Sequence, residues 1–212
     1  MDFLLPIRRL GAPVATLAFT AILAGCSTFQ GPATPAASNV ARNYQQSISL
    51  SGRMSVRYQQ NDKEQAIHGS FTWDQQQQQT VVDLLSPLGQ TLATITIKPG
   101  MASLTQSGKP PRTAADVDTL TELALGWPLP VSGLRDWLQG FSRHDAGGPY
   151  VAVPADTESS LQSPDGWKIS YDTWQREDGA NSSHPKRIDL SRNTEQAGQV
   201  SIRIVIDTWQ PR

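Results

Sequence analysis

The chain has 212 residues, with 18 Lys and Arg against 19 Asp and Glu, for a formal charge of −1. A balance this close to neutral, with no basic stripe, excludes the electrostatic footprint of a nucleic-acid binder. The length suits one domain with a substantial core, and a single cysteine, Cys26, excludes any intrachain disulfide.

Arg8 and Arg9 precede the apolar stretch VATLAFTAILAG, which is too short for a membrane-spanning helix. This is the n-region and h-region of an export signal, expected over residues 1–25 and removed from the mature protein. It ends in Leu23-Ala24-Gly25-Cys26, which resembles a bacterial lipobox. That resemblance implies diacylglycerol on the Cys26 thiol, cleavage before it, and acylation of the new amine. Ser27, not Asp, follows the cysteine, which favours the outer membrane over the inner. One acyl chain holds only marginally, at roughly 0.8 kcal/mol per buried CH₂, and several hold firmly. Cys26 is therefore the candidate anchor. Residues 26–38 are rich in Pro, Ala, Ser and Thr and read as a flexible linker. Residues 39–212 read as a single domain.

A weak helical pattern covers Asn39 to Gln46. The run ISLSGRMSVRYQQ then alternates, with Leu50, Gly52, Met54, Val56 and Tyr58 on one face and Ser51, Arg53, Ser55 and Arg57 on the other. That is the period of a half-buried strand. AIHGSFTW places Ile67, Phe71 and Trp73 together, and the glutamine run 75–79 reads as a polar hairpin loop within the turn cluster Asp74 to Gln79. A second turn cluster covers Gln59 to Glu64. The strands TVVDLLS and TLATITI flank Ser86-Pro87-Leu88-Gly89, and MASLTQ follows. Pro and Gly suit a turn, but a leucine at a tip facing water gains nothing there.

Thr113 is placed to cap a helix carrying Val117, Leu120 and Leu123, with Asp116 and Asp118 favouring the dipole in its first turn. Gly126 and Pro128 stop it. A second short helix carries Leu134, Trp137 and Leu138 and ends at Gly140. GWKISYDTW puts Trp167, Ile169 and Tyr171 on one face. A turn cluster over Glu177 to His184 precedes KRIDLSR, and QVSIRIVIDTW aligns Val200, Ile202, Ile204 and Ile206. The fold class is mainly β with α: a curved antiparallel sheet with helices across its concave face. One sheet cannot bury its own apolar face, and these helices are the available cover.

GRMSV, GSFTW, LLSPLGQTLATI, LGWPLPVSGLRDWLQG and GWKISY, followed by VSIRIVIDTW, resemble in order and spacing the LolB family of outer-membrane lipoprotein receptors, from about Leu50 to Trp209. The resemblance implies an incomplete antiparallel β-barrel with a helical lid over an apolar cavity, as in LolA and LolB. It implies a lipid-anchored protein of the Gram-negative outer membrane that faces the periplasm. Such a protein accepts acylated lipoproteins from the soluble periplasmic carrier LolA and inserts them into that membrane, with no nucleotide or metal cofactor. It also implies that Leu88, between Pro87 and Gly89, is the exposed loop leucine that enters the bilayer. A monomer suffices.

A triacylated cargo cannot cross water freely, and a cleft between a sheet and a movable lid buries its chains reversibly. Large side chains with inward alternation are candidates for the wall: Phe71, Trp73, Leu84, Ile95, Trp137, Trp167 and Ile204. Each also reads as plain core. Nothing in the chain couples to an energy source, so transfer runs downhill, each 1.4 kcal/mol giving a tenfold bias. Exposed acids such as Asp116 and Asp118 are candidates for docking the carrier.

Other readings have less behind them. His68, His144 and His184 are far apart in sequence, the last two in expected loops. There is no Gly-x-Ser-x-Gly, His-Glu-x-x-His or phosphate loop. Asp83 and Asp207 sit in strand patterns with nothing to bring them together. Asn181-Ser-Ser matches a glycosylation acceptor by chance. The alternative function is a membrane-tethered lipid or peptide sensor on the same fold, which would have no need of a membrane-probing tip.

Overall fold

The computed structural model describes residues 42–127, 129–143, 150–153, 159–176 and 183–212. The export signal, Cys26, the linker, Pro128, His144 and Asn181 lie outside the described residues.

Six strands come first: β1 (Ile48–Gln60), β2 (Lys63–Gln75), β3 (Thr80–Leu85), β4 (Thr91–Lys98), β5 (Met101–Gln106) and β6 (Arg112–Ala114). Two helices follow, α1 (Val117–Leu125) and α2 (Val131–Trp137), then the short pair β7 (Phe141–Arg143) and β8 (Tyr150–Ala152). The chain closes with β9 (Ser159–Gln162), β10 (Lys168–Arg176), β11 (Ser183–Thr194) and β12 (Gly198–Pro211). Ten of these strands form one sheet in the order β6-β5-β4-β3-β2-β1-β12-β11-β10-β9. All its neighbours are antiparallel.

The order amounts to two meanders joined where β1 meets β12, from Ile48 opposite Pro211 to Arg57 opposite Ser201. Antiparallel neighbours need only short turns. Between β1 and β2 the turn is Asn61-Asp62 alone, with φ of 52° and 59°, the conformation that matches strand twist. The expected turn cluster over residues 59–64 thus shrinks to two residues. Strands β6 and β9 stand at the two edges of the sheet, which is not closed into a barrel.

The β1–β12 register slips between Ser51 and Gly52, leaving Asp207 as the extra residue of a bulge. A Cβ on residue 52 would lie 2.2 Å from the Val205 carbonyl oxygen and 2.9 Å from the Phe71 ring. Glycine is what lets the two central strands approach there. Alternation otherwise sorts the faces as expected, except at Ile67, which is 44% exposed. Strand β3 pairs with β2 only from Ser70 onward, so Ile67 has no neighbouring strand on that side.

Helix α1 starts one turn later than expected. Thr113 belongs to β6 and pairs with Ser103. The cap is Asp116, extended at φ −141°, whose carboxylate accepts the Thr119 backbone N–H at 2.8 Å. This satisfies an otherwise orphan helix donor. The helix buries Val117, Leu120 and Thr121, so Leu123 falls off the stripe and is 68% exposed.

Residues 42–47 are not helical, contrary to the weak pattern there. They form a strap. The Gln45 N–H donates to Gln139 Oε1 at 2.9 Å, and Gln139 Nε2 donates back to the Gln45 carbonyl at 3.1 Å. Gln75 Nε2 donates to the same carbonyl and to the Tyr44 hydroxyl, both at 3.2 Å, while Gln75 Oε1 accepts from Trp73 Nε1 at 3.3 Å. Gln75 is fully buried at the end of β2, so the glutamine loop begins one residue later than expected. Its amide is buried because every polar atom on it has a partner. His184, expected in a loop, lies buried on β11 with its ring stacked on Trp209 at 4.5 Å.

Candidate functional site

Beneath α2 and the segment leading into it, the apolar inner faces of β1–β4 and β12 do not meet the cover completely. A cavity of about 50 Å³ remains, lined by apolar residues only. The sheet contributes Met54, Phe71, Trp73, Leu84, Ile95 and Ile204, and the helical segment contributes Leu129, Val131, Leu134 and Leu138. Phe71, Trp73, Leu84, Ile95 and Ile204 therefore stand where the alternation of their strands aims them. Trp137 and Trp167 lie outside this lining. Trp137 folds back over Gly133 of its own helix, and its carbonyl accepts the Tyr171 hydroxyl at 3.1 Å. Trp167 is fully buried just before β10, its backbone N–H donating to Ser163 Oγ at 2.9 Å. Val131, Leu134 and Leu138 went unread as wall, although their i, i+3, i+7 spacing is visible in the sequence.

The cover is held together by polar contacts at its ends. Pro130 leaves α2 without a side-chain cap of its own. Asp118 of α1 supplies one: its carboxylate accepts the Ser132 N–H at 3.0 Å and the Ser132 hydroxyl. The two helices are thereby tied into one body. Burial pushes the Asp118 carboxyl above its usual range, with the Ser132 bonds opposing. Asp136 is also pushed up by burial, opposed by Arg143, which pairs with it at 2.9 Å. The backbone N–H of Thr119 holds Asp116 below the usual range. Asp116 and Asp118, examples of the acids that could dock the carrier, both make hydrogen bonds within the helical cover.

The β3–β4 loop is rigidly framed. Ser86 N–H donates to the Gln90 carbonyl at 2.8 Å, and Gly89 N–H donates to the Ser86 carbonyl at 2.9 Å. Ser86 Oγ accepts from the N–H groups of Leu88 at 3.3 Å and Gln90 at 3.2 Å. Gly89 takes φ of 80°, which glycine adopts without strain. Leu88 points away from all this and is 89% exposed. Leu92, at the foot of the same hairpin, is 53% exposed. It sits beside a register shift between Leu84 and Leu85, a feature with no signature in the alternation.

The carboxylates do not form a catalytic pair. Asp83 accepts from Thr94 Oγ1 at 2.6 Å and Thr72 Oγ1 at 3.3 Å, and Asp207 holds Arg53 through two 3.0 Å bonds. Strands β2 and β1 separate them, about 14 Å at the usual strand spacing. Among the described residues no group of three or more His, Cys, Asp and Glu could hold a metal ion. Among the same residues, no helix is long and apolar enough to cross a membrane.

A profile of the family described as outer membrane lipoprotein LolB matches residues 46–209. An outer-membrane lipoprotein LolB from Cupriavidus pinatubonensis is 38% identical over 208 residues, covering 96% of this chain and 93% of its own. The chain belongs to the LolB family. Another LolB, from Ralstonia nicotianae, is 39% identical over 207 residues, covering 94% of this chain and 97% of its own. As a LolB-family member the chain is an outer-membrane lipoprotein that receives and inserts lipoproteins, and the family is a localisation factor of the LolA pathway, not a known enzyme. Among solved structures, a LolA superfamily protein from Nitrosomonas europaea aligns at a TM-score of 0.47 with 12% identity, over 81% of this chain and 88% of its own.

Proposed function

We propose that the cavity under α2 and the segment leading into it takes the acyl chains of a lipoprotein delivered by LolA, and that Leu88 carries the exchange to the bilayer. The observation behind this is a pairing: strands β3 and β4 supply Leu84 and Ile95 to the apolar wall and also carry the exposed leucine at their joining loop. One hairpin links the two ends of the route. At about 50 Å³ the cavity has room for only a few waters. A single water needs roughly 10–15 Å³ by this measure, so an acyl chain enters only if the helical cover swings outward. Asp118 and Ser132 join its helices to each other, and the outward swing breaks the Tyr171–Trp137 and Arg112–Leu123 hydrogen bonds that hold it to the sheet.

In this reading residues 1–25 are removed, Cys26 carries the lipid and residues 26–38 are the linker. Burying Leu88 in an apolar setting contributes roughly 1.5–3 kcal/mol. That is too little to anchor the protein, which Cys26 does, and enough to bias a tethered domain toward touching the membrane with one edge. Pro87 and Gly89 shape the tip. Transfer runs downhill from carrier to cavity to bilayer.

The test follows label from carrier loaded with a labelled lipoprotein into receptor-bound and membrane-bound fractions, with wild type and Leu88→Glu. Cargo that leaves the carrier, accumulates on Leu88→Glu and fails to reach the membrane supports the reading. Delivery as fast as wild type contradicts the role of Leu88. A wild type that never takes cargo contradicts the cavity's role and leaves the sensor alternative.

A further inference from the structure

The outer face of the sheet carries two shallow grooves, of about 390 and 320 Å³, that share Ser55 and Arg203 and so run into one another. The first is bordered by Arg53, His68 and Arg203, and it ends at Pro87, the residue before the exposed tip. The second is bordered by Arg57, Lys168 and Asp189. Strand register builds this surface. Ser55 lies between His68 on β2 and Arg203 on β12, and Arg57 lies opposite Ser201. Short serine side chains beneath long cationic ones leave a trough with a hydroxyl-bearing floor.

The charge around the grooves is positive on balance, with Asp207 and Asp172 paired to Arg53 and Arg187 beside them. Arg53, Arg57, Lys168 and Arg203 line the two grooves against the single carboxylate of Asp189, while the chain as a whole carries −1. Asp189 is shared between Arg203 at 2.8 Å and Arg187 at 2.6 Å, and Asp207 accounts for Arg53. Arg57 and Lys168 form no ion pair among the described residues. They are surface cations without a partner on a face that ends at an apolar tip.

We propose that this face binds the phosphate groups of an anionic phospholipid surface and lays the domain against the membrane while Leu88 is inserted. The proposal rests on the reading of Leu88 as the insertion tip. A bilayer presents phosphates immediately above hydrocarbon, which is the order met on passing from the cationic trough to Leu88. An acidic protein would match the cations and leave the leucine unexplained. Each Lys or Arg held near an anionic lipid surface strengthens binding by about fivefold, and added salt screens the gain.

The experiment uses the mature chain, residues 26–212, with Cys26→Ala so that no acyl anchor masks weak binding. Flotation is measured with vesicles of phosphatidylethanolamine alone or mixed with phosphatidylglycerol, at low and high salt. Phosphatidylglycerol strengthens binding and salt removes the gain. Arg57→Ala combined with Lys168→Ala then loses about 25-fold on the mixed vesicles, fivefold per cation, and little on phosphatidylethanolamine alone. Equal binding of the double variant and its parent to mixed vesicles overturns the proposal. So does unchanged vesicle binding with lost uptake from the carrier, which would make the face a protein-docking surface. Leu88→Glu separates the two readings. If it weakens binding to both vesicle types while the double variant has no effect, the tip stands and the cationic face falls. If it binds as its parent does, the tip falls, and this proposal falls with it.

Discussion

In the outer part of the second meander, β9–β11, the inward side chains close against each other. Trp167, Ile169, Tyr171, Ile188 and Leu190 are essentially without exposure, and the Tyr171 hydroxyl reaches across to the end of α2. Along β1–β4 and β12, side chains of the same kind and alternation border an unfilled cavity. The difference lies in what covers them. The end of α2 is bonded to Tyr171 over β9–β11, whereas Leu129, Val131, Leu134 and Leu138 only roof the hollow. Alternation alone reports which face is inward. Whether that face is packed or hollow depends on a separate element that arrives from elsewhere in the chain.

The strongest way to break this contrast is at its solid side. Trp167→Ala removes a fully buried indole and costs about 3–5 kcal/mol, read by urea denaturation, with acyl-chain uptake per folded molecule unchanged. A specific loss of uptake would make β9–β11 part of the cavity. On the hollow side, Leu84→Trp costs about 1–3 kcal/mol by overpacking and suppresses acyl-chain binding well beyond its effect on stability. Unimpaired binding would place the chains elsewhere.

Two acids sharpen the account of the cover, and their pH dependences have opposite signs. Asp116→Ala removes a helix cap and costs about 1 kcal/mol at neutral pH. The Asp116 carboxyl is held low in the fold, so its contribution is present above the unfolded carboxylate range. It is lost as pH falls through the lowered value, and variant and wild type converge in acid. Asp118 is raised by burial. Its stabilising contribution is complete below the unfolded carboxylate range and lost as pH rises through the raised value, so Asp118→Asn flattens that part of the profile. Urea midpoints measured across acid pH check both slopes. The smallest effect on stability belongs to Leu88→Glu, within about 0.5 kcal/mol because nothing packs on that side chain. A larger loss would show that the leucine supports the fold.

Much of this was legible beforehand. The long strands announce themselves through period-two alternation, and five of the seven proposed wall residues border the cavity because that alternation is a rigid geometric rule. Trp137 and Trp167 escaped it, since an inward indole can fill a core or line a hollow and only its neighbours decide. Strands β6, β7, β8 and β9 have three or four residues, too few to display a period. Asp116 displaced Thr113 as the cap because β5 offered Thr113 a strand partner. Gln75 looked like loop because a buried glutamine is unexpected until Tyr44 and Gln45, some 30 residues earlier, are seen to satisfy it.

The most direct measurement places a photo-crosslinking side chain at Leu84 or Leu134, which border the cavity, and at Leu161, which is also half-buried but packs in the second meander. Each variant is mixed with carrier loaded with a lipoprotein labelled in its acyl chains, then irradiated. Crosslinks to labelled acyl chains from positions 84 and 134 and none from 161 are predicted. Crosslinks from 161, or none from 84 and 134 while cargo is still transferred, would contradict the cavity as the place where the chains are held.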